Sequence, residues 1–160
     1  MSLESVRAWL GAHAPELRLI EVEETTATVD TAAKALGVEP GRIAKTLAIR
    51  AGDHIFLLCT RGDARLDNRK CKDEFGARPR MLGAEETFAV TGHPVGGVCP
   101  FGLKTPLPVY VDVSVKAFGT VYPAGGSLNT SVEVTSERLF ELVAERWVDL
   151  CRLPGESVGE

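Results

Sequence analysis

Ile43-Ala44-Lys45-Thr46-Leu47-Ala48-Ile49-Arg50 runs through Gly52-Asp53 into Ile55-Phe56-Leu57-Leu58-Cys59. The first part alternates along its length, the period of a strand. Gly52-Asp53 is a hairpin turn, and the second part reads as an apolar strand. Strands joined this tightly run antiparallel, so the stretch predicts a sheet built around a hairpin. Alternation also places Ile43, Lys45, Leu47 and Ile49 on one face, and Ala44, Thr46, Ala48 and Arg50 on the other. Lys45 therefore stands among large apolar residues. A desolvated ammonium is costly, and burial lowers its pKa. Functional sites tolerate that cost; the alternative is that Lys45 snorkels to water at a strand end near Pro40-Gly41.

On the N-terminal side, residues 3–14 show helical spacing and stop at Pro15, and 17–22 alternate as a short strand. Thr28 is an N-cap for a helix through Leu36, with Gly37 at its C-terminal position. After the hairpin, residues 67–75 read as a helix ended by Gly76, and 84–88 as a short helix. Strands are expected at 108–113, 119–122 and 131–134, with a turn at Gly125-Gly126. Thr135 caps a last helix to about Glu145. A short strand at 147–150 and a frayed tail at 154–160 complete the chain. Hairpin signals outnumber strand–helix–strand crossovers. The expected fold is α/β: one compact domain over residues 1–153, with a curved, mixed or antiparallel, barrel-like sheet flanked by helices.

Of the 160 residues, 44% are hydrophobic and 25% charged, the balance of an ordinary globule. No apolar run approaches the roughly 18 residues of a membrane span, so no membrane partner is expected. Leu3, Val6 and Leu10 are interleaved with Glu4 and Arg7, unlike a signal segment, which makes the cytoplasm the default location. Cys59, Cys71, Cys99 and Cys151 are widely spaced, without C-x-x-C or a Cys/His cluster. That spacing argues against zinc, a redox dithiol and a disulfide framework, and neither metal nor cofactor is expected. The formal net charge is −4, yet residues 61–80 hold seven basic side chains (Arg61, Arg65, Arg69, Lys70, Lys72, Arg78, Arg80) against four acidic ones. Such a segment serves either as a phosphate-contacting footprint or as a balanced, solvated helix face.

The other distinctive stretch is Gly92-His93-Pro94-Val95-Gly96-Gly97-Val98-Cys99-Pro100-Phe101-Gly102, where six of eleven residues are glycine or proline. Neither a helix nor a strand interior accommodates that density, and a loop with bare backbone can face a ligand. Cys99 and His93 share it and form a candidate nucleophilic dyad. Signatures of serine hydrolases, kinases, dehydrogenases and zinc proteases are missing. Asp112 could orient Lys45 or a substrate amine, or cap the turn at 114–118. Gly125-Gly126 with Asn129 offers a second permissive loop and an amide for a substrate.

In this order the features resemble the YbaK/ProX family of aminoacyl-tRNA deacylases, related to the editing domain of prolyl-tRNA synthetases. The carrying pieces are Thr28-Val29-Asp30-Thr31-Ala32-Ala33 with Leu36-Gly37-Val38, Ile43-Ala44-Lys45-Thr46-Leu47 and Arg80-Met81. The Gly/Pro loop, Val109-Tyr110-Val111-Asp112 and Gly125-Gly126 complete them. The resemblance implies a metal-independent hydrolase that removes a small wrong amino acid from tRNA, with Lys45 as the principal functional residue. It further implies a substrate pocket shaped by Gly96, Gly97, Val98, Cys99, Pro100, Phe101 and Gly102, with Thr46, Asp112, Gly125, Gly126 and Asn129 beside it. Many relatives carry serine where this chain has Cys99. Mischarged tRNA is the implied partner, met by Arg61, Arg65, Arg69, Lys70 and Arg80, with an aminoacyl-tRNA synthetase as a further candidate. Two other readings remain: a non-catalytic module that binds an amino acid, nucleotide or tRNA end, and a thiol enzyme using Cys99.

Overall fold

The computed structural model describes residues 2–155. Helix α1 (Ser2–His13) is followed by strand β1 (Arg18–Glu21) and helix α2 (Val29–Leu36). The Thr28 hydroxyl accepts from the Thr31 N–H while the Thr31 hydroxyl accepts from the Thr28 N–H, a reciprocal cap at the start of α2. Gly37 closes that helix at φ 69°. A 3-10 turn, Pro40–Arg42, then delivers the chain to β2 (Ala44–Ala51), joined by Gly52-Asp53 to β3 (His54–Arg61). The expected hairpin is therefore present, in register from Ala51 opposite His54 to Ala44 opposite Arg61.

Strand β4 (Arg65–Leu66) leads to α3 (Asn68–Phe75), whose N-cap Asp67 accepts from the N–H groups of Arg69 and Lys70. Next come β5 (Pro79–Met81) and α4 (Ala84–Thr91), three residues longer than expected and closed by Gly92 at φ 78°. After the Gly/Pro loop lie β6 (Val109–Asp112), β7 (Thr120–Val121), β8 (Thr130–Thr135) and α5 (Ser136–Val143). Helix α5 stops before Glu145, whose N–H instead bonds Val109 O. Strands β9 (Arg146–Val148) and β10 (Cys151–Arg152) finish the fold. Of the tail expected to fray at 154–160, residues 156–160 lie outside the described residues.

The main sheet has the order β5-β2-β3-β6-β9, antiparallel through β3 and parallel beyond it. A three-stranded sheet, β1-β8-β7, and the pair β10-β4 are separate from it. The mixed α/β character is as expected, but the barrel-like closure is not found. The reason lies at the edge of β2: β5 pairs only with Ile49, Arg50 and Ala51, and Leu82 N–H takes Ala48 O just beyond. From Ala48 back to Ala44 no strand among the described residues covers that edge.

One face of the main sheet buries Ala44, Ala48, Leu57, Cys59, Val109 and Val111 against α1, β8 and Leu139 of α5. The other buries Ile49, Phe56, Leu58 and Tyr110 against Cys71 of α3 and Leu150. At about 25 cal/mol per Å2 of apolar surface, these two layers hold the sheet and so fix the position of the β2 edge.

Candidate functional site

The uncovered edge of β2 opens into a cavity of about 340 Å3. Five consecutive β2 residues, Ala44 to Ala48, line it, which a strand can do only edge-on, since its two faces alternate. Ladder parity decides which peptide groups look into it. The closing pair of a two-residue hairpin is hydrogen-bonded, so residues 44, 46, 48 and 50 turn their N–H and C=O away from β3. Ala44 N–H is taken by Tyr122 O and Ala48 O by Leu82 N–H. Between them, Thr46 presents to the cavity an N–H and C=O with no backbone partner among the described residues. The remaining wall comes from Thr26, Ala27 and Val29 before and in α2, from Val95, Gly96 and Val98, and from Tyr122, Ala124 and Ser131.

Lys45 is half-buried, and its Nζ donates to Ala64 O at 2.6 Å, on the connection leaving β3. Burial pushes its pKa down, the neighbouring Arg65 adds to that, and Asp63 opposes it. An ammonium has three N–H donors; Ala64 takes one, and Lys45 also lines the cavity. Its ammonium is neither snorkelled into open water nor ion-paired at contact distance.

Within the Gly/Pro loop the structure separates two roles. Val95, Gly96 and Val98 line the cavity, and the Gly96 and Val98 N–H groups have no protein acceptor among the described residues. Gly96 sits at φ 94°, and a side chain there would press on Ala27 and Leu128 at 3.0 Å. Gly97, Cys99, Pro100 and Phe101 are buried outside the cavity wall, and Gly102 seats its backbone against Ser5 of α1. Burial pushes the Cys99 thiol up to about 12. His93 is fully buried, and its Nε2 lies 2.8 Å from Phe101 O. A carbonyl only accepts, so Nε2 carries the proton. Nδ1 then accepts from the Ser2 hydroxyl at 2.5 Å. With its proton already on Nε2, 3.6 Å from Cys99 Sγ, this imidazole is no base for the thiol.

Asp112 is fully committed elsewhere. Its Oδ2 accepts from Ser114 N–H, capping the turn at 113–117, and its Oδ1 accepts from Leu150 N–H at 2.7 Å. Of its sequence readings, the structure shows the cap. Gly125, Gly126 and Asn129 also stand outside the lining: Gly126 packs on Ser2 and Val6, and the Asn129 amide bonds Val22 O. Arg61 pairs with Asp63, and Lys70 with Asp149 and Cys151 O, whereas Arg65, Arg69 and Arg80 are exposed. Among the described residues, no group of three or more His, Cys, Asp or Glu could hold a metal, and no helix is long and apolar enough to cross a membrane. The sequence reading missed Thr26, Ala27, Leu82, Tyr122 and Ser131 as cavity walls. Tyr122 and Ser131 lay in predicted strands, and no local signal marks the others.

Residues 23–142 match the family of the aminoacyl-tRNA editing domain. The chain is 45% identical over 154 residues to YwhH of Bacillus subtilis, covering 95% of this chain and 98% of that protein. It is 25% identical over 127 residues to EbsC of Enterococcus faecalis, a candidate Cys-tRNA(Pro)/Cys-tRNA(Cys) deacylase, covering 77% and 76% of the two chains. A solved structure described as a candidate trans-editing enzyme for prolyl-tRNA synthetase superposes with a TM-score of 0.86 at 32% identity, covering 94% of this chain and 97% of that one. With a family match over most of its length and a cavity that joins Lys45 to the glycine loop, the chain belongs to the aminoacyl-tRNA editing domain family, and its enzymatic class is aminoacyl-tRNA hydrolase.

Proposed function

We propose that this chain edits in trans, hydrolysing the ester between a small wrong amino acid (alanine, cysteine, serine or threonine) and tRNA, with tRNA-Pro as the foremost substrate. The observation that carries the reading is one small cavity holding Lys45, the free Thr46 peptide groups and the Gly96–Val98 backbone together. An aminoacyl ester is already activated, so positioning it and stabilising the developing oxyanion suffice. Water oxygen attacks the carbonyl carbon, the bond to the ribose oxygen breaks, and the water's proton ends on that oxygen. The N–H groups of Gly96, Val98 and Thr46 are the donors available to the oxyanion. Lys45 holds the terminal phosphate or ribose oxygens with the donors Ala64 leaves free. Walls of Ala27, Val29, Ala44, Leu82 and Val98 exclude larger side chains by contact.

The test is release of amino acid from tRNA-Pro charged with Ala, Cys, Ser, Thr or Pro, by the wild type and Lys45→Ala. Turnover on a small amino acid, reduced at least a hundredfold in the variant, is expected. A folded wild type inactive on every member would leave the binding module as the better reading.

A further inference from the structure

Two side chains of the cavity also face open solvent. Met81, at the end of β5, is 56% exposed, and Val95, in the Gly/Pro loop, is 59% exposed, yet both line the cavity. A side chain that does both stands at the mouth. Leu128, half exposed, lies beside them: a Cβ on Gly96 would meet Leu128 Cδ2 and Ala27 Cβ, each at 3.0 Å. Single exposed apolar side chains are ordinary on a protein surface. Here Met81 and Val95, from separate elements, border the same mouth, and the apolar surface continues past the loop to Leu128.

What covers this mouth follows from how the substrate is joined, and the inference rests on the deacylase reading. With the ester carbonyl at the Gly96, Val98 and Thr46 N–H groups, the terminal ribose stands next to it and carries both a phosphate and a base. Lys45 is the charged side chain of the lining, and Arg65 is close enough to lower its pKa, so the phosphate is drawn to that side. An apolar mouth would strip water from a phosphate and give nothing back. A base instead presents a flat π-face, to which a flexible, polarizable thioether adapts with favourable sulfur contacts. We propose that Met81 and Val95 seat the terminal adenine of the tRNA, packing against its face at the mouth while the ester enters the cavity. Such contact does not depend on the sequence of the tRNA, because every base has a π-face.

The experiment uses tRNA-Pro charged with the small amino acid that the wild type releases fastest, its terminal nucleotide carrying either adenine or no base. kcat/KM is measured for the wild type, for the double variant Met81→Ala/Val95→Ala, and for Val113→Ala, an exposed apolar side chain outside the lining. Removing the base is expected to cost the wild type about tenfold, mostly in KM. The double variant loses about tenfold on the intact end but less than threefold on the abasic one. Its melting temperature stays that of the wild type, since both side chains are exposed. Val113→Ala behaves as the wild type on both. A wild type indifferent to the base overturns the inference. So does a double variant that matches the wild type on both substrates, or one that slows both equally, which would make Met81 and Val95 walls for the amino acid alone. A wild type that releases no small amino acid from tRNA with the adenine in place removes the deacylase reading itself, and the inference with it.

Discussion

At the scale of single residues, burial sorts the groups that could do chemistry. Cys99 lies behind the cavity wall with its thiol pushed up to about 12, so it is a core side chain. Serine at this position retains a donor that can reach Phe101 O, where Cys99 Sγ already points at 3.7 Å. Cys99→Ser is expected to keep deacylation within about threefold of wild type. Alkylation of the native protein followed by mass spectrometry should label none of the four buried cysteines rapidly. A hundredfold loss, or fast inactivating alkylation, would restore the thiol mechanism. His93 gives the second residue-scale prediction. Burial holds its pKa below the ordinary 6.5, so the folded protein keeps it neutral while the unfolded chain takes up a proton below that value. Stability therefore falls as pH drops through 6.5 towards the folded-state value, by at most about 1.4 kcal/mol per pH unit. Melting curves from pH 7.5 to 5 should show this component in the wild type and lose it in His93→Gln; parallel profiles would mean His93 is not the titrating group.

At the scale of elements, what was legible is what local chemistry encodes. Thr28, Gly37 and Gly76 marked helix ends correctly because each cap is made within a few residues of itself. Gly52-Asp53 fixed the hairpin for the same reason. Strands β4, β5 and β10 were not legible, since two or three residues show no alternation and exist as strands only through distant partners. The cavity walls share that origin: Thr26 is placed by Leu128, and Tyr122 by Ala44. Lys45 was readable because alternation alone set its company, whereas the free Thr46 peptide groups depend on where β5 stops. Of the Gly/Pro loop, sequence predicted a ligand-facing backbone, but only Val95, Gly96 and Val98 of it line the cavity. Gly96 is the one to test. Its φ of 94° disfavours any side chain, and a Cβ would push Ala27 and Leu128 into the site. Gly96→Ala should cost about 1–3 kcal/mol of stability and at least tenfold in kcat/KM. Wild-type kinetics in that variant would show that the loop does not shape the active cavity.

At the scale of the whole molecule, electrostatics sets how such a site meets tRNA. The chain carries −4 overall, so its general field repels a polyanion, and attraction must come from local cations. The structure divides those of residues 61–80. Lys70 already holds Asp149 at 3.0 Å and Cys151 O at 2.7 Å, and Arg61 holds Asp63. Arg65 is exposed, close enough to Lys45 to lower its pKa, and lies directly across β4–β10 from Arg152. Two like charges in cross-strand register oppose sheet pairing, and an approaching phosphate would relieve that repulsion beside Lys45. Each phosphate neutralised contributes close to one unit to the salt dependence of binding. Arg65→Ala should therefore lower the slope of log Kd against log salt by about one, with the release rate of bound substrate little changed at saturation. Lys70→Ala, removing a cation already paired within the protein, should leave the slope nearly as it was. Equal slopes for both variants would move the tRNA path away from the β4–β10 face and towards Arg69 or Arg80.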